Sequence, residues 1–270
     1  VPELPEVETT RRGIAPALIG ETVSAVVLRT EKLRWPLDPQ LGAWMTGQRL
    51  REVRRRAKYL LFMFDDGCLL VHLGMSGSLR IFPRDMMPGK HDHVDLVFAG
   101  GQVLRLTDPR KFGAVLWTDD PEQHRLLLKL GPEPLDNEFS GDYLHRRSRH
   151  RKMAVKPFVM GQQIVVGVGN IYASEALFRA RIRPDRPAGS ISLARYRRLA
   201  GVIKDVLDEA IAAGGTTLQD FQQSDGRPGY FKQELQVYGR AGEPCRVCSR
   251  PIRSVRLGQR STFFCGSCQH

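Results

Sequence analysis

The sequence predicts an α+β protein: an N-terminal β-sandwich with one helix packed on it, then a helical domain, then a C-terminal β-hairpin stapled by cysteines. Three observations predict this. From residue 22 to about 118 the apolar residues fall into short β-like runs separated by turn signals. After the proline-broken stretch GPEPLDNEF (131–139) the apolar period turns helical. Four of the five cysteines then lie within residues 245–268, as two C-x2-C pairs.

Each element has its own signal. Leu4, Val7, Ile14 and Leu18 form a helical stripe over 3–18, with Pro5 in the first turn, where a missing N–H costs little, and Gly20 just past the end. The strand runs are TVSAVVLR, YLLFMF, CLLVHLGM, SLRIF, HVDLVF, QVLRLTD and AVLWT. YLLFMF-DDG-CLLVHL reads as a hairpin, and FAGGQ marks a second turn. NIYASEALFRA reads as one helix; a stronger one is capped by Ser192, carries Leu193, Tyr196, Leu199, Ile203, Leu207 and Ile211 on one face, and stops at Gly214-Gly215. TTLQDFQQSDGRPGYF reads as a polar loop. The domain boundaries that follow are 1–131, 132–235 and 236–270.

Composition narrows the function. The chain has 270 residues, 41% hydrophobic and 26% charged, and carries a net charge of +12 with a pI near 9.9. The positive charge clusters in 49–58, 108–113 and 145–156, which favours a polyanionic partner, nucleic acid first. No apolar run is long enough to span a membrane, no basic stretch has a strong apolar face, and the acidic start lacks the apolar core of a secretory signal; a cytoplasmic protein is expected. Cys68, in an apolar strand, reads as a small core residue.

Cys245, Cys248, Cys265 and Cys268 have the spacing of a closed tetrahedral four-thiolate shell, predicting one structural zinc ion with no open position for chemistry. Between the pairs, PIRSVRLGQRSTFF reads as a hairpin that presents Arg260 at its tip, a place suited to phosphate contact. VVGVGNIY (165–172) invites a dinucleotide reading, but Tyr172 replaces the third glycine and no βαβ repeat surrounds it. Its amide cluster at a helix start, with Asn170 beside it, suits a phosphate on nucleic acid better, and no organic cofactor is expected.

Taken together, PELPEVE at the front, RRRAKYLL, HLGMSGSLR, TDPRKFG, VVGVGNIYASE and the four-cysteine finger resemble the bacterial formamidopyrimidine-DNA glycosylases, over the whole chain. The resemblance implies a helix-two-turn-helix within 132–235 and a monomer acting on double-stranded DNA that holds oxidised bases or abasic sites. It implies excision of 8-oxoguanine and formamidopyrimidines followed by β,δ-elimination, with Pro2 as nucleophile, Glu3 as proton donor, Lys58 assisting β-elimination and Arg260 assisting δ-elimination. By the same resemblance His91, Arg110, Arg151 and Asn170 contact DNA, Met75, Arg110 and Phe112 fill the gap left by the extruded nucleotide, and 216–231 closes over the base. Taken singly, Glu3 and Glu6 could serve the helix dipole, Met75 and Phe112 the core, and Lys58 a solvated strand end. The chemistry requires residue 1 to be absent, so Val1 is read as the literal translation of a GTG start codon, decoded as methionine and removed. Two rivals stand beside this reading: an endonuclease VIII-type enzyme for oxidised pyrimidines, whose start reads PEGPE where this chain has PELPE, and a non-catalytic zinc-finger DNA-binding protein.

Overall fold

The computed structural model describes residues 2–215 and 235–270; the loop over 216–231 lies outside the described residues. Two compact units emerge, one running to Leu128 and taking up the chain again from Ala213, the other made of Lys129–Ala212 and the stretch to His270.

The first unit holds two four-stranded antiparallel sheets. One contains β1 (Val23–Leu28), β5 (Ser78–Pro83), β6 (Asp92–Phe98) and β7 (Gln102–Thr107) in the order β1-β6-β7-β5; the other contains β2 (Glu52–Arg56), β3 (Tyr59–Phe64), β4 (Gly67–His72) and β8 (Ala114–Thr118) in the order β2-β3-β4-β8. Alternating side chains such as Val53, Phe62, Leu69 and Val115 from one sheet and Val94, Leu96, Leu104 and Leu106 from the other share one core. The helix α1 (Leu4–Leu18) feeds Val7, Ile14, Ala15 and Leu18 into it, and the short α2 (Leu41–Met45) adds Leu41 and Met45. Strands β3 and β4 form the hairpin read from YLLFMF-DDG-CLLVHL, Tyr59 facing His72 and Phe64 facing Gly67. Cys68 is fully buried in this sheet.

An ionic clamp ties α1 to β2. The Glu8 carboxylate accepts from Arg11 (2.8 and 3.0 Å), Arg12 (2.8 Å) and Arg55 (3.2 Å). Burial alone would raise its pKa, but hydrogen bonds from Arg11 and Arg12 and the charges of Arg11 and Arg55 outweigh that and bring it down to about 2. A carboxyl whose folded pKa lies below its unfolded value of 4.5 contributes stability above pH 4.5 and loses it as pH falls towards 2. Glu8→Gln is therefore expected to flatten the fall in thermal midpoint between those two pH values, measured by a pH series of melts.

The second unit is helical: α3 (Gly141–Ser148), α4 (Val155–Val159), α5 (Asn170–Arg179) and α6 (Leu193–Ala212), closed by the hairpin of β9 (Arg253–Leu257) and β10 (Arg260–Phe264). The predicted stripe of α6 is buried from Tyr196 to Ile211, Leu193 at its start being half-buried, and the Tyr196 hydroxyl donates to the Ala188 carbonyl at 2.9 Å. No described helix is long and apolar enough to cross a membrane.

Candidate active site and nucleic-acid interface

In the first unit the residues singled out in sequence gather at two places. Pro2 and Glu3 are buried at the entrance of α1, where a capping box closes: the Glu3 N–H donates to the Glu6 carboxylate at 2.8 Å, and the Glu3 side chain accepts from the Glu6 amide. Glu6 is fully buried, and the backbone of Gly215 packs so near it that a Cβ there would lie 3.0 Å from its carboxylate. Lys58 sits in the turn between β2 and β3, after Ala57 in the left-handed region at φ +55°. Arg55 donates both to Glu8 and to the Ala57 carbonyl (3.0 Å), so the clamp on α1 also fixes the turn that carries Lys58.

The second place is built around Asp108, to which the sequence alone assigns no role. Its fully buried carboxylate accepts from the Ser76 hydroxyl (2.8 Å) and from the amides of Gly113 (2.8 Å) and Arg110 (3.3 Å). Its own amide donates to the His91 carbonyl at 2.9 Å. One aspartate thus joins the 74–76 turn bearing Met75, the 108–113 loop bearing Arg110 and Phe112, and the exposed His91. Phe112 is 44% exposed, with the Arg110 guanidinium 5.0 Å from its ring centre; Met75 is half-buried.

His72 braces the same turn. Burial, aided by the charges of Lys58 and Arg34, drives its pKa down to about 4, so the ring is neutral at neutral pH and its Nδ1 accepts from the Gly74 amide at 3.0 Å. Gly74 has φ +65° and lies against the Phe112–Gly113 backbone, where a Cβ would stand 2.4 Å from the Phe112 carbonyl carbon. Gly74→Ala is expected to cost about 2–5 kcal/mol, from left-handed strain plus overpacking, seen as a lowered denaturant midpoint.

In the second unit Asn170 opens α5 and Arg260 opens β10, and a buried cation joins their neighbourhoods. Lys156, 1% exposed, donates from Nζ to Asn170 Oδ1 (2.6 Å), Thr262 Oγ1 (2.9 Å) and the Ser261 carbonyl (3.2 Å). In sequence Lys156 is merely the end of a basic run. Lys156→Met strands these acceptors and is expected to lower stability by about 2–4 kcal/mol, with hydrogen exchange rising at the start of α5 and in β10. Glu175, likewise without a role assigned from sequence, accepts the amides of Gln236 (2.8 Å), Val237 (3.0 Å) and Tyr238 (2.8 Å), while burial pushes its pKa up. Arg151 is exposed beside Arg149, His150 and Lys152 on an open depression.

The four predicted cysteine ligands converge, all Sγ atoms lying within 4.8 Å of one another. Cys245 and Cys268 are 3.9 Å apart and Cys248 and Cys265 3.5 Å. Thiolates about 2.3 Å from one tetrahedral ion would stand about 3.8 Å apart, so the donor set fits a structural metal.

Comparison with known proteins then decides the family. Residues 1–115 match the formamidopyrimidine-DNA glycosylase N-terminal domain, 130–222 its H2TH domain, and 242–270 the zinc finger found in FPG and IleRS. The chain belongs to the formamidopyrimidine-DNA glycosylase family. The formamidopyrimidine-DNA glycosylase of Alkalilimnicola ehrlichii is 60% identical and that of Methylococcus capsulatus 61%, each with complete coverage of both chains. Among solved structures, MutM (Fpg) of Thermus thermophilus is 40% identical with a TM-score of 0.88, covering 99% of this chain and 98% of that one. Lactococcus lactis Fpg in complex with abasic-site DNA is 33% identical with a TM-score of 0.92, covering 99% of each. As a formamidopyrimidine-DNA glycosylase the chain is a DNA repair enzyme with a metal-binding finger, and the mixed fold of strands, H2TH helices and hairpin predicted from sequence is the one found. Within this family member, Pro2, Glu3, Lys58, Met75, His91, Arg110 and Phe112 belong to the first unit, and Arg151, Asn170, Arg260 and the cysteines to the second.

Proposed function

We propose that this glycosylase excises oxidised purines, 8-oxoguanine and formamidopyrimidines, and cuts the strand by β,δ-elimination through a Schiff base on Pro2. The observation that carries the reading is the entrance of α1, where Pro2 directly precedes a buried Glu3 inside a capping box. An α-amine titrates near 8 and a lysine near 10.4, so more of the terminal amine is unprotonated at neutral pH, and the positive end of α1 lowers its pKa further. The Pro2 nitrogen attacks C1′, the C1′–base bond breaks, and the departing base takes a proton, with Glu3 as the donor. The C1′–O4′ bond then opens, O4′ taking the proton that the attached nitrogen gives up, and because the amine is secondary the product is an iminium that keeps its positive charge. Loss of a C2′ proton, assisted by Lys58, sends electrons into that sink as the 3′ phosphate leaves; a second elimination, assisted by Arg260, releases the 5′ phosphate.

Met75, Arg110 and Phe112 fill the space of the turned-out nucleotide, and His91, Arg151 and Asn170 hold DNA. Solved Lactococcus lactis Fpg complexes with Fapy-dG and abasic-site DNA support this substrate class. Cys245, Cys248, Cys265 and Cys268 hold one zinc ion, whose part is to keep the finger folded; no organic cofactor takes part. The enzyme works as a monomer in the cytoplasm. The test is a panel of 8-oxoguanine, formamidopyrimidine and thymine glycol duplexes with borohydride trapping. Adducts and cleavage on the two purine lesions are expected; preference for thymine glycol gives the endonuclease VIII reading, and binding without any adduct gives the non-catalytic one.

A further inference from the structure

The end of the β2-β3-β4-β8 sheet farthest from Lys58 carries an aromatic pocket that the lesion chemistry does not use. Trp44 from α2 and Trp117 from β8 stack with ring centres 6.4 Å apart and planes 28° from parallel, and Phe64 packs on Trp117 at 6.0 Å. With Gln48, Asp66, Thr118 and Asp119 they line a depression of about 480 Å³. Its walls are fixed: Gln48 donates to the Trp44 carbonyl (2.6 Å) and accepts from the Asp66 amide (2.9 Å). Trp117 lies over Gly67, where a Cβ would meet the indole at 2.5 Å. Strand β3 runs from Tyr59, next to Lys58, to Phe64 at this pocket, a span of about 20 Å. The Arg110–Phe112 loop likewise enters β8 at Ala114, and the pocket lies at its Thr118 end.

Charge tells what would fill it. Elsewhere the fold covers aromatic rings with its own arginines: Arg105 over Phe82, Arg110 over Phe112, Arg125 over Trp35 and Arg183 over Phe264. Among the described residues, no cation covers Trp44 or Trp117, and neither Asp66 nor Asp119 has an ion-pair partner, although Arg51 holds the adjacent Asp65 at 2.6 Å. Two carboxylates beside stacked indoles repel a phosphate backbone and attract a cation, and tryptophan is the best ring for one. We propose that this pocket docks an exposed arginine- or lysine-bearing segment of a partner protein, its cationic head over the indoles and between Asp66 and Asp119.

The three tryptophans make the test direct, since each gives one indole N–H signal in a ¹⁵N-labelled full-length chain. Titration with the capped peptide acetyl-Arg-Gly-Arg-Gly-Arg-amide is expected to shift the Trp44 and Trp117 signals to saturation and leave Trp35 in place. Asp66→Asn with Asp119→Asn, both at exposed positions, is expected to weaken the peptide about tenfold or more while 8-oxoguanine cleavage is unchanged. Absence of a saturable shift, an equal shift of Trp35, undiminished binding by the double variant, or spermidine binding as tightly as the peptide would each overturn the proposal.

Discussion

A chain that begins at residue 2 and carries Pro2→Gly forms no borohydride-trapped adduct on an 8-oxoguanine duplex and cuts it roughly 10³-fold more slowly or worse, the scale on which losing a nucleophile is felt. Glycine keeps an α-amine, but an imine made from it can shed its proton and with it the charge that draws electrons during elimination. It also gives up the ring that fixes the nitrogen's approach ahead of the Glu3 cap. The variant should melt as the parent does, because the capping box and the burial of Leu4 and Val7 start beyond residue 2. A companion chain with residue 1 retained puts an acyl group on the Pro2 nitrogen, leaving a tertiary amide without a nucleophilic lone pair. It is expected to bind the duplex and form no adduct. A full yield of adduct from Pro2→Gly would overturn the requirement for the proline ring, and mapping the adduct to residue 2 or to Lys58 would then say which amine attacks.

The second large effect concerns the finger. Cys248→Ala leaves three thiolates to hold a metal, and apart from those the hairpin is tied down by the Lys156 bonds to Thr262 and the Ser261 carbonyl and by a small core. That core is built from Cys245, Ile252 and Cys265 with Phe263, against Phe178 and Val237. Structural zinc contributes on the order of 10 kcal/mol or more to folding in such units, so its loss exceeds what that core supplies. The expected result is a chain that retains the far-ultraviolet signature of the sandwich and α6 but binds DNA at least roughly 100-fold more weakly, as does the parent after chelation. Metal analysis of the parent should find one zinc per chain. Unchanged affinity in Cys248→Ala would separate the finger from DNA binding.

Local signals carry much of the fold, and long-range ones do not. The face of α6, the hairpin of β3 and β4 and the four cysteines are set by spacing within one segment, and spacing is what a sequence displays. Strand β2 reads in sequence only as part of a basic cluster, because Val53 is its one fully buried side chain and four charged residues surround it. The pairings β1-β6, β5-β7 and β4-β8 skip over intervening strands, and periodicity carries no information about such partners. The candidate site divides the same way. Motif resemblance supplies Pro2, Lys58, Met75 and Arg260. It does not supply Asp108, Lys156, His72 or Glu175, whose buried polar groups matter only once the backbone brings their partners to them. A lysine in a run of basic residues looks solvated until Asn170 and Thr262 arrive from elsewhere in the chain.

The hub at Asp108 bears on how the surface around it yields to force. A side chain pushed into a stack of bases can hold it open only if its own backbone resists, and a surface loop on its own is a soft spring. Here the Met75 turn and the Arg110–Phe112 loop share one anchor, Ser76 and Gly113 gripping the same carboxylate, with Gly74 pressed against the neighbouring chain. In the proposed role the wedge is therefore one stiff body with two edges. Its mutational energies should fail to add: once Met75 has been shortened, shortening Phe112 should cost less than it does alone.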